Sequence, residues 1–384
     1  MVATGGLAEF EGYSPGAFAA GPVRAQVAHE ITPNAYAIPV AAVIGLIGSD
    51  DIAFNIHVAK LFSVALYPLT LWLAFLTFRR IFPDSPAAPV WGVGVMATVP
   101  MFTLVHSYYT NDAPAIAVGT LATYSIVRAA QSRFARRDVL LVGVALGLVG
   151  LHKYTGFIAF PAFGITLLWS LWRHPSRLIQ TAVLVLGIAA TICSWWYIRN
   201  WVLYGDPIGV AFTQAAVDAS GAAPVPPRTR GLNPVEFLQE SDWLGENFAT
   251  FWAGWGLEKL KLPGGVYLTF LALLVIASIG LVIRAIRAGR QALSSGPPLL
   301  FIMAILHLGL WSISFWSSYT VDVALSGRYV YPTFAAFVAL MIGGLSGVFA
   351  WRGRMESVVM LGVPIMLAAN GVYFVNTLLR DILD

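Results

Sequence analysis

VLLVGVALGLVGLHKYTGFIAFPAFGITLLWSLWR, residues 139–173, is two apolar runs placed back to back. Arg136 and Arg137 stand before it, Arg173 ends it, and His152 and Lys153 sit in the turn between the runs. A bilayer core takes about 20 apolar residues per helix. The pattern predicts two membrane-spanning helices, 138–152 and 155–172, with basic residues at one end and a tight polar turn at the other. The first is short, so it tilts little or uses its flanks.

The same pattern extends outward along the chain. Further apolar windows fall at 57–78, 89–107, 113–128, 178–198, 264–286, 298–317, 329–349 and 357–378, giving about ten transmembrane helices. Residues 35–48 (AYAIPVAAVIGLIG) are apolar but too short to span, and Pro33 and Pro39 frame them. They predict a helix lying in the outer interface. Composition agrees with an all-α polytopic membrane protein. Of 384 residues, 58% are hydrophobic and 11% charged, and mean hydropathy is +0.74. Water-soluble domains carry roughly 25% charged residues. The 13 Trp, 14 Tyr and 23 Phe suit aromatic belts at two interfaces.

Charge sets the orientation. Arg79, Arg80, Arg128, Arg133, Arg136, Arg137, Arg173, Arg177, Arg284, Arg287, Arg290, Arg352 and Arg354 all fall on one side of a ten-span arrangement. The opposite loops hold Lys60, Lys153, Arg199, Arg228, Arg230, Lys259, Lys261 and Arg328. The short-loop bias toward Lys and Arg predicts that the first side is cytoplasmic. Four regions follow: an outer loop with an interfacial helix (1–56), an N-terminal bundle (57–198), a large outer loop (199–263) and C-terminal helices (264–384). The formal charge of +4 belongs to these short loops. No basic stripe is interleaved with groups that read bases, so no nucleic-acid partner is expected. The single Cys193 excludes an intrachain disulfide framework and reads as a small core hydrophobe. Residues 219–234 are rich in Pro and Gly and read as irregular outer loop.

Ionisable side chains near a membrane span are expensive and point to function. Here they gather at outer helix ends: His57 and Lys60; His106, Tyr108, Tyr109, Asn111 and Asp112; His152 and Lys153; Arg199, Asn200, Tyr204 and Asp206; Asp322 and Arg328. If the helices bundle, these groups converge on one outward-facing cavity. Each also has a plainer role open to it. Asp112 can cap the helix that runs into Pro114, and Lys153 can snorkel as an interface anchor. Arg199 and Asp206 can pair to pin the long loop. Trp252 and Trp255 can belong to the interfacial belt. His106 and His152 can be satisfied polar residues, since two separate His make no metal site. His307, at a span centre, reads as a hydrogen-bonded packing residue. The sequence shows neither broken helices nor internal repeats, the two marks of a transporter.

Four segments in order, PMFTLVHSYYTNDAPAIA (100–117), LGLVGLHKYTGFIAFPAF (146–163), WWYIRNWVLYGDPIG (195–209) and GRYVYPTFAAF (327–337), resemble the GT-C membrane glycosyltransferases. ENFATFWAGWGLEKLKLPGGVY (246–267) is similar to the same group. In plan the chain resembles bacterial polyprenyl-phosphate-dependent enzymes, protein O-mannosyltransferases and the lipid A aminoarabinose transferase. The resemblance runs from about residue 30 to residue 350.

It implies transfer of a hexosyl or pentosyl group from a polyprenyl-phosphate donor to a glycan, lipid or protein acceptor. The reaction would take place at the outer face of a bacterial cytoplasmic membrane. By resemblance, Lys153 and Arg328 contact the donor phosphate, with Arg199 as a further candidate. Asp112 matches the second acidic position and is a catalytic candidate, while His106, Tyr109, Asn111 and Asp206 support the acceptor or the loop. A divalent metal ion is compatible with Asp112, but one carboxylate is not a site. The family's first helix and the acidic residue behind it have no counterpart here. The carboxylates of 1–34 are Glu9, Glu11 and Glu30, so Glu30 is the base candidate within the chain. The expectation is that the family's base lies upstream of Met1 in a fuller product. Three other readings stand beside this one: a polysaccharide polymerase or ligase, a transporter or flippase of lipid-linked sugars, and an inactive partner that kept the fold.

Overall fold

A computed structural model describes residues 33–209, 226–254, 261–288, 298–321, 323–349 and most of 362–377. Its described regular structure is helical, without strands. The helices run in chain order as α1 (Ala37–Ile47), α2 (Ile52–Ile81), α3 (Ala87–Thr98), α4 (Pro100–Ser107), α5 (Asp112–Gln131) and α6 (Arg136–Gly150). A 3₁₀ turn (Tyr154–Ile158) leads into α7 (Ala159–Leu171), followed by α8 (Pro175–Tyr204), α9 (Pro234–Ser241), α10 (Trp243–Trp252) and α11 (Gly264–Ala288). Then come α12 (Leu299–Thr320), a second 3₁₀ turn (Gly327–Thr333) and α13 (Phe334–Phe349). Residues 364–373 and 375–377 are helical as well.

Seven of these segments are long and apolar enough to cross a membrane, and the bent pair α3–α4 makes an eighth. The protein is a multi-pass membrane protein. Each predicted span falls on helix, the last of them partly outside the described residues. α6 has 15 residues, as short as its 138–152 window predicts and too few to count as a full span by length. The span predicted at 89–107 is broken, turning by 67° between Thr98 and Pro100. Val99 there is extended, with ψ 115°. Pro disfavours the helical conformation in the residue before it and supplies no N–H to continue the ladder. A broken helix is therefore present where apolar length alone predicts a continuous one.

Local chemistry fixes the helix ends. The Asp51 carboxylate accepts from the backbone N–H of Ala53 at 2.8 Å and starts α2. Pro175 opens α8, and Gly205, at φ 68°, closes it with its N–H on the Trp201 carbonyl. Asn233 and Glu236 form a reciprocal capping box at the start of α9.

α5 and the span formed by the second 3₁₀ turn with α13 are the central elements, 83% and 89% buried. α8 and α11 are 17% buried and form the periphery. In lipid, apolar burial does not drive helices together, so close packing at small residues must. Gly119 of α5 meets the Pro332 backbone so tightly that a Cβ there would overlap the Pro332 carbonyl. Gly280 and Gly344 bring α11 and α13 equally close. The Gly119 seam sets where the second 3₁₀ turn lies against α5.

Alternation along the chain puts all the described arginines of the first group, Arg79 to Arg287, at one end of the bundle. Arg128 pairs there with Asp138 at 2.5 Å, and Arg177 donates to the Arg133 carbonyl at 2.9 Å. Arg290, Arg352 and Arg354 lie outside the described residues. The opposite end carries the turns at 108–111, 151–154, 205–209 and 323–328.

Candidate functional site

Three turns at that opposite end bring together three residues far apart in sequence. Asp112 is the first residue of α5. Its carboxylate does not cap the helix and instead faces two cations. Lys153 Nζ lies 2.5 Å from Asp112 Oδ1, and Arg328 Nε lies 3.5 Å from Asp112 Oδ2. The Asp112 side chain is 7% exposed, that of Lys153 19% and that of Arg328 32%. The carboxylate is thus sealed in while each cation keeps an open face. A buried charge is tolerable when it is paired and hydrogen-bonded.

Each member is held by its element. Lys153 is the extended residue between α6 and the first 3₁₀ turn, at ψ 139°. The backbone N–H of Ala35, just before α1, donates to the Leu151 carbonyl in the same turn at 3.1 Å. Arg328 is the second residue of the second 3₁₀ turn, and its Nη1 donates to the Tyr108 hydroxyl at 3.0 Å. The Tyr329 ring lies against both cations, 4.3 Å from Lys153 Nζ and 5.5 Å from Arg328 Cζ. Such a ring face attracts cations and holds them without neutralising them. Burial pushes the Tyr108 phenol above its usual range, with Arg328 opposing, so the hydroxyl keeps its proton at neutral pH.

The other candidates flank this cluster. Tyr109 stacks on Tyr36, with centroids 5.7 Å apart and planes 21° apart. Tyr36 in turn shares a hydrogen bond with Ser63 at 3.1 Å. Burial pushes the Tyr36 phenol up to about 12, with that Ser63 bond opposing. Asn111 is the residue before α5 and makes no side-chain cap. His106 is buried, with Nδ1 on the Phe102 carbonyl at 2.9 Å. His152 Nδ1 meets the Leu148 carbonyl at 2.6 Å, and burial pulls its imidazole below the usual range, so it is neutral near pH 7.

Arg199 donates to Asn200 Oδ1 at 2.9 Å and lies over the rings of Trp196 and Tyr204. Asp206 accepts the backbone N–H groups of Ile208 and Gly209 at 3.1 and 2.9 Å. The Tyr154 hydroxyl, next to Lys153, bonds the Ile208 carbonyl and ties this loop to the rim. His307 bonds Thr333 through Nδ1 and accepts the Trp311 indole N–H on Nε2, both at 3.0 Å. Glu9, Glu11, Glu30, Trp255, Lys259 and Asp322 lie outside the described residues.

Tyr108, read from sequence as part of the outer polar cluster, is the partner of Arg328, whereas Tyr329, the ring beneath both cations, has no distinguishing mark of its own in the sequence. The available signal for Tyr329 is that it adjoins Arg328 in a segment that carries the resemblance. The described residues of the site do not by themselves form a divalent-metal site. Among the described residues no three His, Cys, Asp or Glu side chains group together. Both oxygens of Asp112 already face cations, which would repel another.

Residues 38–197 match the model of a family described as dolichyl-phosphate-mannose-protein mannosyltransferase. That segment runs from α1 through most of α8. A chain from Saccharomyces cerevisiae, dolichyl-phosphate-mannose–protein mannosyltransferase 1, is 25% identical over 181 residues. The alignment takes in 44% of this chain and 21% of the yeast protein. The GT-C resemblance is supported across 38–197, which takes in the segments 100–117 and 146–163, while 246–267 and 327–337 lie outside the match. Asp112 and Lys153 lie inside the matched segment, and Arg328 lies outside it.

Proposed function

We propose that this chain moves a glycosyl group from a polyprenyl-phosphate donor to an acceptor hydroxyl at the outer face of a bacterial cytoplasmic membrane. The observation that carries the reading is the Lys153–Asp112–Arg328 cluster. It lies at the bundle end opposite the arginine-rich loops, and by the positive-inside rule that end faces outward. Two cations against one carboxylate leave net positive charge with open cationic faces. A donor phosphate completes that charge. As the glycosidic bond breaks, the phosphate oxygen gains negative charge, and Lys153 and Arg328 already stand where it develops. Preplaced charge of this kind lowers a barrier most where water is scarce. Arg328 can hold two phosphate oxygens at once, while Lys153 offers a single compact charge.

Asp112 orients both cations in this state. To take the acceptor proton it must release one of them, as a phosphate entering beside Lys153 and Arg328 would allow. Glu30 is the other base candidate. The sugar is open between hexosyl and pentosyl. The matched family's name makes a mannosyl donor the first to try, and a protein, glycan or lipid the acceptor to supply.

The test uses full-length protein in lipid nanodiscs with radiolabelled polyprenyl-phosphate sugars, mannosyl first. Donor-dependent transfer is expected, with Lys153→Ala and Arg328→Ala each lowering kcat by about 10²-fold, the scale of one lost transition-state contact. Cell-surface glycans unchanged in the Lys153→Ala and Asp112→Ala strains, together with no transfer in vitro, would overturn the proposal. The broken span α3–α4 favours a second reading, a flippase for lipid-linked sugars. Scrambling of such lipids in proteoliposomes without sugar transfer would select it.

A further inference from the structure

Arg328 is carried by a short turn, and that turn rests on the backbone of a helix in the large outer loop. The helix is α10. Its Asn247 and Thr250, three apart and so on one face, meet the segment that leads into the turn. Asn247 Nδ2 donates to the Ala324 carbonyl at 3.1 Å. Thr250 Oγ1 accepts the Gly327 backbone N–H at 2.8 Å. The Tyr331 hydroxyl bonds the Phe251 carbonyl from the far side of the turn. Gly327 has no room for a side chain, since a Cβ would lie 2.6 Å from Phe251 N and would overlap the Asn247 carbonyl.

α10 is itself anchored. Trp243 is buried beside Phe315 and Trp311, and Trp252 stacks on Phe270 with centroids 4.1 Å apart. Lys261 closes on Glu246 at 2.5 Å and ties the helix to the segment entering α11. The position of Arg328 is therefore set from the outer loop. The contact it serves is sensitive. Arg328 Nε stands 3.5 Å from Asp112 Oδ2 as an ion pair, with no hydrogen bond made by Nε, so a shift of about 0.5 Å toward the carboxylate or away from it decides whether a hydrogen bond can form.

We infer that Thr250, with Asn247 and Gly327, is a positioning residue for Arg328: α10 clamps the 3₁₀ turn so that the guanidinium stands beside Asp112. The clamp never touches substrate, and its effect on the donor passes through Arg328, so its catalytic consequence rests on the function proposed above. Residues 246–267 lie outside the matched segment, so this half of the site is read from this chain's own geometry.

The test is a double-mutant cycle on the full chain in nanodiscs, read by donor kinetics and by thermal melting. Thr250→Val keeps the shape and removes the hydroxyl. It is expected to lower kcat/KM for the polyprenyl-phosphate donor by up to about tenfold, the upper end of the net worth of one neutral hydrogen bond. Acceptor KM stays unchanged, and Thr250→Ser restores the rate. In an Arg328→Ala background, Thr250→Val is expected to change nothing further. Gly327→Ala, which removes no side-chain bond, reproduces the Thr250→Val kinetics. In melting, the loss from Thr250→Val is expected to be smaller in Arg328→Ala than in the parent.

Losses that multiply in kinetics, or melting shifts that add, would overturn the clamp. A parent protein that transfers no sugar would defeat the proposed function alone. The melting cycle would then judge the clamp, with additivity counting against it and coupling for it.

Discussion

Lys153 Nζ stands 2.5 Å from Asp112 Oδ1, across 41 positions of sequence and between the ends of two different helices. The pair joins α5 to the turn after α6, and Arg328 joins the same carboxylate from the second 3₁₀ turn. Removing the carboxylate leaves two cations facing each other, whereas removing Lys153 leaves Asp112 still paired with Arg328. Asp112→Ala is therefore expected to cost on the order of 3 kcal/mol, the scale for stripping one partner from a buried pair, and Lys153→Ala distinctly less. Thermal melting in detergent checks the order, and equal losses would contradict it.

A second prediction concerns the seam between α5 and the Arg328 turn. Gly119 lies against the Pro332 backbone, where an added Cβ would stand 2.9 Å from the Pro332 carbonyl carbon. Gly119→Val pushes the turn away from α5 and so moves Arg328 from Asp112. Donor affinity is expected to fall more than it does for Gly187→Val on α8, where a Cβ meets nothing within 4 Å. Equal effects of the two would contradict this.

His307 supplies a contrast. Both its ring nitrogens are used, one by Thr333 and one by Trp311. His307→Leu strands the Trp311 N–H, at roughly 1–3 kcal/mol for a group left unsatisfied, while the Thr333 hydroxyl keeps its bond to the Val330 carbonyl at 2.9 Å. Melting should show that loss, while the affinity for a lipid phosphate stays within about twofold, since roughly 1.4 kcal/mol is a full tenfold.

Orientation can be tested by labelling. Ser107 stands at the site end and Ser132 at the arginine-rich end, and both are exposed. In a Cys193→Ala background, Ser107→Cys is expected to react with a membrane-impermeant maleimide in intact cells. Ser132→Cys is expected to react only after lysis. The reverse pattern would place the site in the cytoplasm.

The sequence is most legible where one property repeats. Apolar length marks the spans because backbone groups in lipid force helices. Direction is not legible. A window average over 89–107 sees apolar residues on both sides of Pro100 and misses the 67° turn. The shortness of α6 is legible, since its 138–152 window is 15 residues long, as the helix is. Asp112, Lys153 and Arg328 are legible as charged residues at helix ends on one side of the membrane. Their mutual contact is not, because helix order fixes an end of the bundle and not a distance. Tyr108 and Arg328 are 220 positions apart. Thr250 and Asn247 read as ordinary helix-face polar residues, and their role depends on an N–H and a carbonyl 77 positions away in each case.

The most direct test of the account is the binding of a polyprenyl phosphate to the full chain in nanodiscs, comparing the parent with Lys153→Ala, Arg328→Ala and Arg137→Ala. The account predicts saturable binding that each of the first two weakens by about tenfold, the scale of a charge-assisted contact, and that Arg137→Ala at the opposite end leaves intact. Binding of equal strength in all four proteins would contradict it.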